Sequence, residues 1–451
     1  MRVVPVTRLS MALALTGLVW GPLTAATTPK VDFTDTRLAN GLRVIIAPDH
    51  HAPVFSIAVN YDVGSRNERP GRTGFAHLFE HMMFKGSANV GAFEHPLLVF
   101  NNGGNMNGTT NKDRTLYFET LPSNQLDLAL FLEADRMRAL DITRENLDNQ
   151  RNAVQEERRL GLDNQPYGRT GEVLEELAYD NFAYEHSVIG SMQDLNAASV
   201  EDVAAFFKTY YAPNNAVLAL AGDLEPAPTL VKVRKYFESI PRQPAPPAVD
   251  LTEPRQAAER RQTLDDALAR LTRLDIVYKV PPSLTPDDDA VSVLSTVLAT
   301  GRSSRLFESV VRQRQLAPQI NAGKGESRGT GLLRIVAPLS PGQDVAALEA
   351  AIDAEIEKLK AAPVADWEIE KARSAARRNL VASLDSSLQR AILLSQYAMF
   401  YDNPGLINTR ADRIAAVTAA DVQRVARQYL VAGNRTIVIT NPKPTAAGGG
   451  R

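Results

Sequence analysis

The chain has 451 residues, 44% of them hydrophobic, which fills two or three domains of common size better than a single core. Its formal charge of −2 leaves no basic excess to neutralise phosphates or hold an anionic membrane, so nucleic acid is not an expected partner. Cysteine is absent, which excludes disulfides, thiolate metal ligands and a lipidated cysteine, so any metal must sit on nitrogen and oxygen.

The first residues read MRVVPVTRLSMALALTGLVWGPLTAATTPK, with Arg2 and Arg8 ahead of an apolar run and small residues from Thr24 to Ala26. The run is shorter than the ~20 residues a membrane span requires, so residues 1–26 are expected to be a secretory signal cut near Ala26. An uncleaved amino-terminal anchor is the alternative. An exported chain without cysteine fits a bacterial periplasm, with no membrane contact once the signal is removed.

Past the leader, RVIIA and VFSIAVNYDV have strand character and are broken by the turn-forming PDHHAP. Helical spacing takes over at RTGFAHLFEHMMF and returns to strand in RTLYFETL. It is helical again over 125–140 and 144–160, with a break expected near Gly161 and Pro166. The stretch IPRQPAPPAVDLTEP, residues 240–254, is proline-rich and aperiodic and reads as an extended linker. On either side of it, SVEDVAAFFKTYYAPNNAVLALAGD from Ser199 and TAADVQRVARQYLVAGNRTIVITNP from Thr418 align without a gap at an offset of 219. Asp202 matches Asp421, Val203 matches Val422, Tyr210 matches Tyr429 and Asn215 matches Asn434. A capped helix, a turn with asparagine and an apolar strand at the end of each half indicate duplication.

GFAHLFEHMMFKG, residues 74–86, carries two of the six histidines four residues apart. On a helix that spacing places His77 and His81 on one face, with Cβ atoms ~5–6 Å apart and able to reach one ion. Glu80 flanks the same face and can contact a water without being a ligand. Two imidazoles suit zinc, and a catalytic zinc site needs three protein ligands, so the third must come from elsewhere. The surrounding Phe75, Leu78, Phe79, Met82 and Met83 make unpartnered polar residues costly there. The inverted H-x-x-E-H order is a zinc peptidase signature.

HLFEHMMFKGS, followed by GGNMNGTTNKDRTLYFETLP and QRNAVQEERR, resembles the pitrilysin, insulysin and mitochondrial processing peptidase family of zinc metallopeptidases. The resemblance extends from LANGLRVIIAPD to NRTIVITNP. It implies that a distal glutamate in the helical RNAV segment completes the zinc site, and the matching position is Glu157. Its neighbour Glu156, about 100° round the helix, is expected to be solvated. The family usually has a glutamate seven residues before that ligand; here the place holds Gln150, which removes a negative charge beside the metal. The implied reaction is hydrolysis of a peptide bond with one zinc ion per chain on His77, His81 and Glu157, and Glu80 as general base. Asn107 and Gly108 match family positions on an edge strand to which the peptide adds as a further strand.

Of the remaining histidines, His50 and His51 are expected to be solvated in a loop, as is His95 beside Pro96. His186 matches a family position and is assigned to structure. In the second half, GRSSRLFESVVRQRQLAPQINAG, residues 301–323, resembles the family segment that supplies an arginine and, seven residues on, a tyrosine to hold substrate. Arg312 is present, but Pro318 stands where the tyrosine is expected.

Half-length family members pair to form a two-bowl chamber. An intact zinc motif with a lost tyrosine implies the zinc subunit of a heterodimer whose partner supplies the arginine and tyrosine; a homodimer using Arg312 is the alternative. The expected fold class is α+β, with two tandem homologous domains, each a mostly antiparallel β-sheet packed with α-helices. The expected boundaries are 30–239 for the catalytic domain, 240–260 for the linker, 261–442 for the homologous domain and 443–451 for a flexible tail. The expected function is a periplasmic zinc endopeptidase acting on peptides or unfolded segments. A non-catalytic scaffold subunit of the same fold is the rival, and a zinc-storage role would leave Glu80 without a task.

Overall fold

A computed structural model of the chain describes residues 30–443. The expected signal, 1–26, and the expected tail beyond Lys443 lie outside the described residues.

Two sheets organise the fold. The first contains β1 (Thr34–Arg37), β2 (Arg43–Pro48), β3 (Val54–Tyr61), β4 (Asn105–Thr110), β5 (Thr115–Pro122) and β6 (Ala216–Gly222), in the order β1-β2-β6-β3-β5-β4. The second contains β7 (Arg260–Asp266), β8 (Arg273–Val280), β9 (Asn321–Lys324), β10 (Gly331–Pro338) and β11 (Arg435–Pro442), in the order β7-β11-β8-β10-β9. Without β1 the two orders superpose strand for strand. Each sheet has one parallel pair, β2 with β6 and β7 with β11, and is otherwise antiparallel. Residues 241–258 between the sheets carry no helix or strand, and β7 begins at Arg260, one residue inside the expected linker.

The duplication reaches beyond the segment that revealed it. Helix Val200–Tyr210 is capped by Ser199 and its counterpart Ala419–Tyr429 by Thr418. The turn asparagines work alike: Asn215 Nδ2 donates to Tyr210 O and Asn434 Nδ2 to Tyr429 O, both at 2.8 Å.

The two homologous α+β halves agree with the expected fold class, and each also lends a helix to the other. In β2, β3 and β6 nearly every residue is buried, and strands buried throughout their length need cover on both sheet faces. Val44, Ile46, Ile57, Val59, Leu218 and Leu220 face helices of their own half. On the other face, Ala47, Ala58, Ala219 and Ala221 let helix Ser387–Tyr401 of the second half settle through Leu394 and Ala398. Helix Gly168–Ala178 of the first half reciprocates, packing Val173 and Leu174 on Val277 and Val438 of the second sheet. Each duplicated helix therefore covers the other half's sheet, and burying one such leucine contributes ~1.5–3 kcal/mol.

Candidate metal centre

The motif helix α1 (Phe75–Met82) starts at Gly74, whose φ of 85° lies in the left-handed region. A Cβ there would come within 2.6 Å of Ile189 O, so glycine is required. No side chain at the N-cap position satisfies the helix start. Instead Glu68 reaches in, accepting from Gly74 N at 2.9 Å and Ala76 N at 2.7 Å. His186 holds Glu68 in turn, with Nε2 2.9 Å from Glu68 Oε2 and Nδ1 2.7 Å from Phe182 O. Phe75, Leu78, Phe79 and Met82 bury one face of α1, leaving His77, Glu80 and His81 on the other.

With the helices Glu94–Asn101 (α2) and Leu126–Arg138 (α3) between them in sequence, the next long helix, α4 (Arg144–Arg158), lies against α1. Arg151 fixes it by donating to Leu195 O at 2.9 Å and Ala198 O at 2.6 Å. Arg158 does so through Glu172 at 2.6 Å and Gly190 O at 2.8 Å. This sets Glu157 over the histidines: Oε1 is 3.5 Å from His77 Nε2 and Oε2 is 3.2 Å from His81 Nε2. Glu156 turns to solvent and pairs with Arg159 at 3.0 Å. The helical stretch ends in a π-type turn, Arg159–Asp163, close to the expected break.

The donor atoms of His77, His81 and Glu157 all lie within 4.8 Å of one another. Zinc bonds of 2.0–2.2 Å in tetrahedral geometry set ligands about 3.4 Å apart, so the observed separations fit a shared zinc. Burial, aided by His81, brings the His77 pKa down to about 4, so its imidazole is neutral and free to ligate at neutral pH. Burial pushes the Glu80 carboxyl up to about 7 against the hydrogen bond from Thr110; Glu157 raises it further and Arg114 opposes.

Glu80 points from α1 toward β4, where Thr110 Oγ1 donates to its Oε2 at 2.6 Å. β4 is the terminal strand of its sheet, bonded to β5 and to no strand on its other side among the described residues. Asn107 is exposed on it and Gly108 is buried against Glu80. Gln150 is buried and donates to Asn149 Oδ1 at 2.6 Å. With Glu80 and His81 it lines a cavity of about 320 Å³ whose other walls include Phe84, Phe100 and Met106.

Arg312 is not drawn into this constellation: it lies in the π-type helical stretch Phe307–Gln313, 71% exposed, paired with Glu308 at 3.1 Å. Pro318 is exposed as well. His50 and His51 are exposed, paired with Asp223 and Asp49.

His95 corrects its expected solvation. Pro96 lies in the first turn of α2, where proline is tolerated, so His95 is helical and faces inward. It contacts Glu119 in a buried group completed by Glu133 and Arg136. Arg136 Nε donates to Glu133 Oε2 at 3.0 Å and its guanidinium lies 4.4 Å from the centre of the Tyr117 ring. The arginine supplies the positive charge that a metal would otherwise bring, so this group is an internal ion-pair network. Removing one partner strands a buried charge: Glu133→Ala is expected to cost about 3–5 kcal/mol in urea unfolding, and replacing Glu133 and Arg136 together by leucine and methionine to cost less.

Sequence reasoning missed Glu68, Thr110 and Glu119. Strand alternation carried a signal for two of them: Thr110 shares a face of β4 with Gly108, and Glu119 shares a face of β5 with Tyr117 and Leu121, so both needed polar partners inside. Glu68 left none, because its role depends on a loop doubling back.

Two histidines a turn apart, a glutamate between them and a distant carboxylate, beside an open edge strand in a duplicated α+β body, make the arrangement of the inverted-motif metallopeptidase class. The insulinase (peptidase family M16) model matches residues 43–191 and the peptidase M16 inactive-domain model residues 197–376. The chain is 31% identical over 408 residues to the zinc protease PqqE of Helicobacter pylori, covering 90% of this chain and 92% of that protein. A crystal structure of a protease from Helicobacter pylori superposes with a TM-score of 0.88 at 29% identity, over 92% of this chain and 100% of that one. The periplasmic protease PqqL from Escherichia coli gives a TM-score of 0.75 at 17% identity; there 93% of this chain corresponds to 48% of the longer one, a likeness of fold alone. The chain belongs to peptidase family M16.

Proposed function

We propose that this chain is a zinc-dependent endopeptidase acting on peptides or unfolded segments. The observation that carries the reading is the convergence of His77, His81 and Glu157 with Glu80 beside them, next to the open edge of β4. A zinc ion held by the three donors would act as a Lewis acid on the scissile carbonyl and acidify water. The protein's own groups do the rest. β4 pairs with an extended peptide through its main chain, which gives affinity with little demand on sequence. Glu80 takes the proton from water and passes it to the leaving amine. The cavity beside Phe84, Phe100 and Met106 accepts an apolar side chain next to the scissile bond.

The site works in a dimeric chamber in the periplasm, after removal of the signal. Arg312 is exposed and, among the described residues, bonded only to Glu308, and Pro318 stands where the family resemblance implies a tyrosine, which supports a heterodimer whose partner supplies the arginine and tyrosine. Isolation of the tagged chain from its own host is expected to recover a second family subunit in equal amount; recovery of homodimers alone would refute this assembly. Hydrolysis of a mixed set of quenched peptides by that preparation, with a folded protein left intact, tests the activity. A zinc-loaded, partnered sample that cuts none of them would favour the scaffold.

A further inference from the structure

We propose that Thr110 is a positioning residue for Glu80, so that the strand that takes the substrate also sets the general base. The proposal rests on the peptidase reading above.

Thr110 Oγ1 donates to Glu80 Oε2 at 2.6 Å. Two positions earlier on the same face of β4, a Cβ at Gly108 would lie 3.0 Å from Glu80 Cγ and 3.3 Å from Oε1. A bare backbone at 108 thus gives the side chain room, and Thr110 fixes its end. One oxygen is held by the strand and the other is left for the proton. Glutamate has three rotatable bonds, and a displacement of about 1 Å at a reacting group can cost about 100-fold in rate.

Thr110 is itself held. The β4–β5 turn closes through Asn111 Oδ1, which accepts from Asp113 N and Arg114 N, both at 2.8 Å. Asp113 receives Arg66 at 3.1 Å and Tyr184 Oη at 2.6 Å from the first half, and Arg328 N at 3.0 Å from the second. Arg328 also reaches Asp62 at 2.7 Å. The second half therefore clamps the turn that follows Thr110, and a peptide pairing on the open side of β4 meets a strand already tied to the base.

The test compares Thr110→Val and Thr110→Ser with the wild-type complex purified from its host. It reads kcat and KM on one quenched peptide, zinc content, and the affinity of that peptide for the Glu80→Gln background by fluorescence anisotropy. The valine variant is expected to lose about 10- to 100-fold in kcat, with KM and zinc content within about 2-fold, and serine to restore most of the rate. In the Glu80→Gln background, Thr110→Val is expected to leave peptide affinity unchanged. Wild-type kcat in the valine variant, failure of serine to rescue, or a loss of peptide affinity in the Glu80→Gln background would overturn the proposal. A wild-type complex that cuts no peptide would instead overturn the peptidase reading, and this inference with it.

Discussion

Glu80→Gln is expected to lower kcat by about 10²- to 10⁴-fold while leaving zinc content and peptide affinity close to wild type. Glutamine matches glutamate in shape and its amide oxygen can still accept the hydrogen bond from Thr110, so the α1–β4 contact survives. What disappears is the group able to take a proton. A loss of zinc in the same variant would mean that Glu80 acts through the metal cluster and not as a base.

The substitution has a second readout in the metal-free chain. The folded-state pKa of Glu80 is raised from its ordinary value of 4.5 to about 7, chiefly by burial. The folded state thus binds the proton more tightly than the unfolded state, so the carboxyl's contribution to stability is present at low pH and lost as pH rises between those values. Glutamine does not titrate. The melting temperature of Glu80→Gln relative to wild type is therefore expected to rise across that window and level off above it, as measured by calorimetry in chelator.

The second large effect is at Glu157. Outer partners of metal ligands already contribute 10- to 100-fold in affinity, and loss of one of three ligands exceeds that. Glu157→Ala is expected to weaken zinc binding by more than about 100-fold and to abolish activity with it. Glu156→Ala, which removes only the solvent-facing partner of Arg159, is expected to leave zinc affinity within about 2-fold. Competition with a zinc indicator separates the two variants, and the opposite order would move the third ligand to Glu156.

Much of this site was legible because it is written in local periods. The four-residue spacing of His77 and His81 on α1 follows from helical geometry. The strand character of RVIIA and VFSIAVNYDV marks β2 and β3. The distal carboxylate was not legible from the residues alone: only the packing of α4 on α1 brings Glu157 to the histidines, and the family resemblance had to point to it. His95 has no histidine partner at helical spacing, and that absence carries no information on burial; Pro96 is at home in the first turn of a helix that turns His95 inward. The exchange of covering helices was hidden for another reason. An apolar face on Gly168–Ala178 or Ser387–Tyr401 states that a helix must be covered, and leaves open which sheet covers it.

The reach of the second half into the first gives it a task in the proposed activity even though Arg312 lies apart. Helix Ser387–Tyr401 backs the sheet from which β4 projects, and Arg328 ties down the β4–β5 turn. Both contacts bear on the strand that faces Glu80.

Zinc dependence of peptide cleavage is the most direct measurement: the complex purified from its own host is stripped with a chelator, assayed on quenched peptides, and titrated with zinc. Cleavage should vanish with the metal and return in full at about one zinc per copy of this chain, as three protein ligands and one open position require. Cleavage that survives complete removal of zinc, or its absence after full reloading, would contradict a zinc peptidase built on His77, His81 and Glu157.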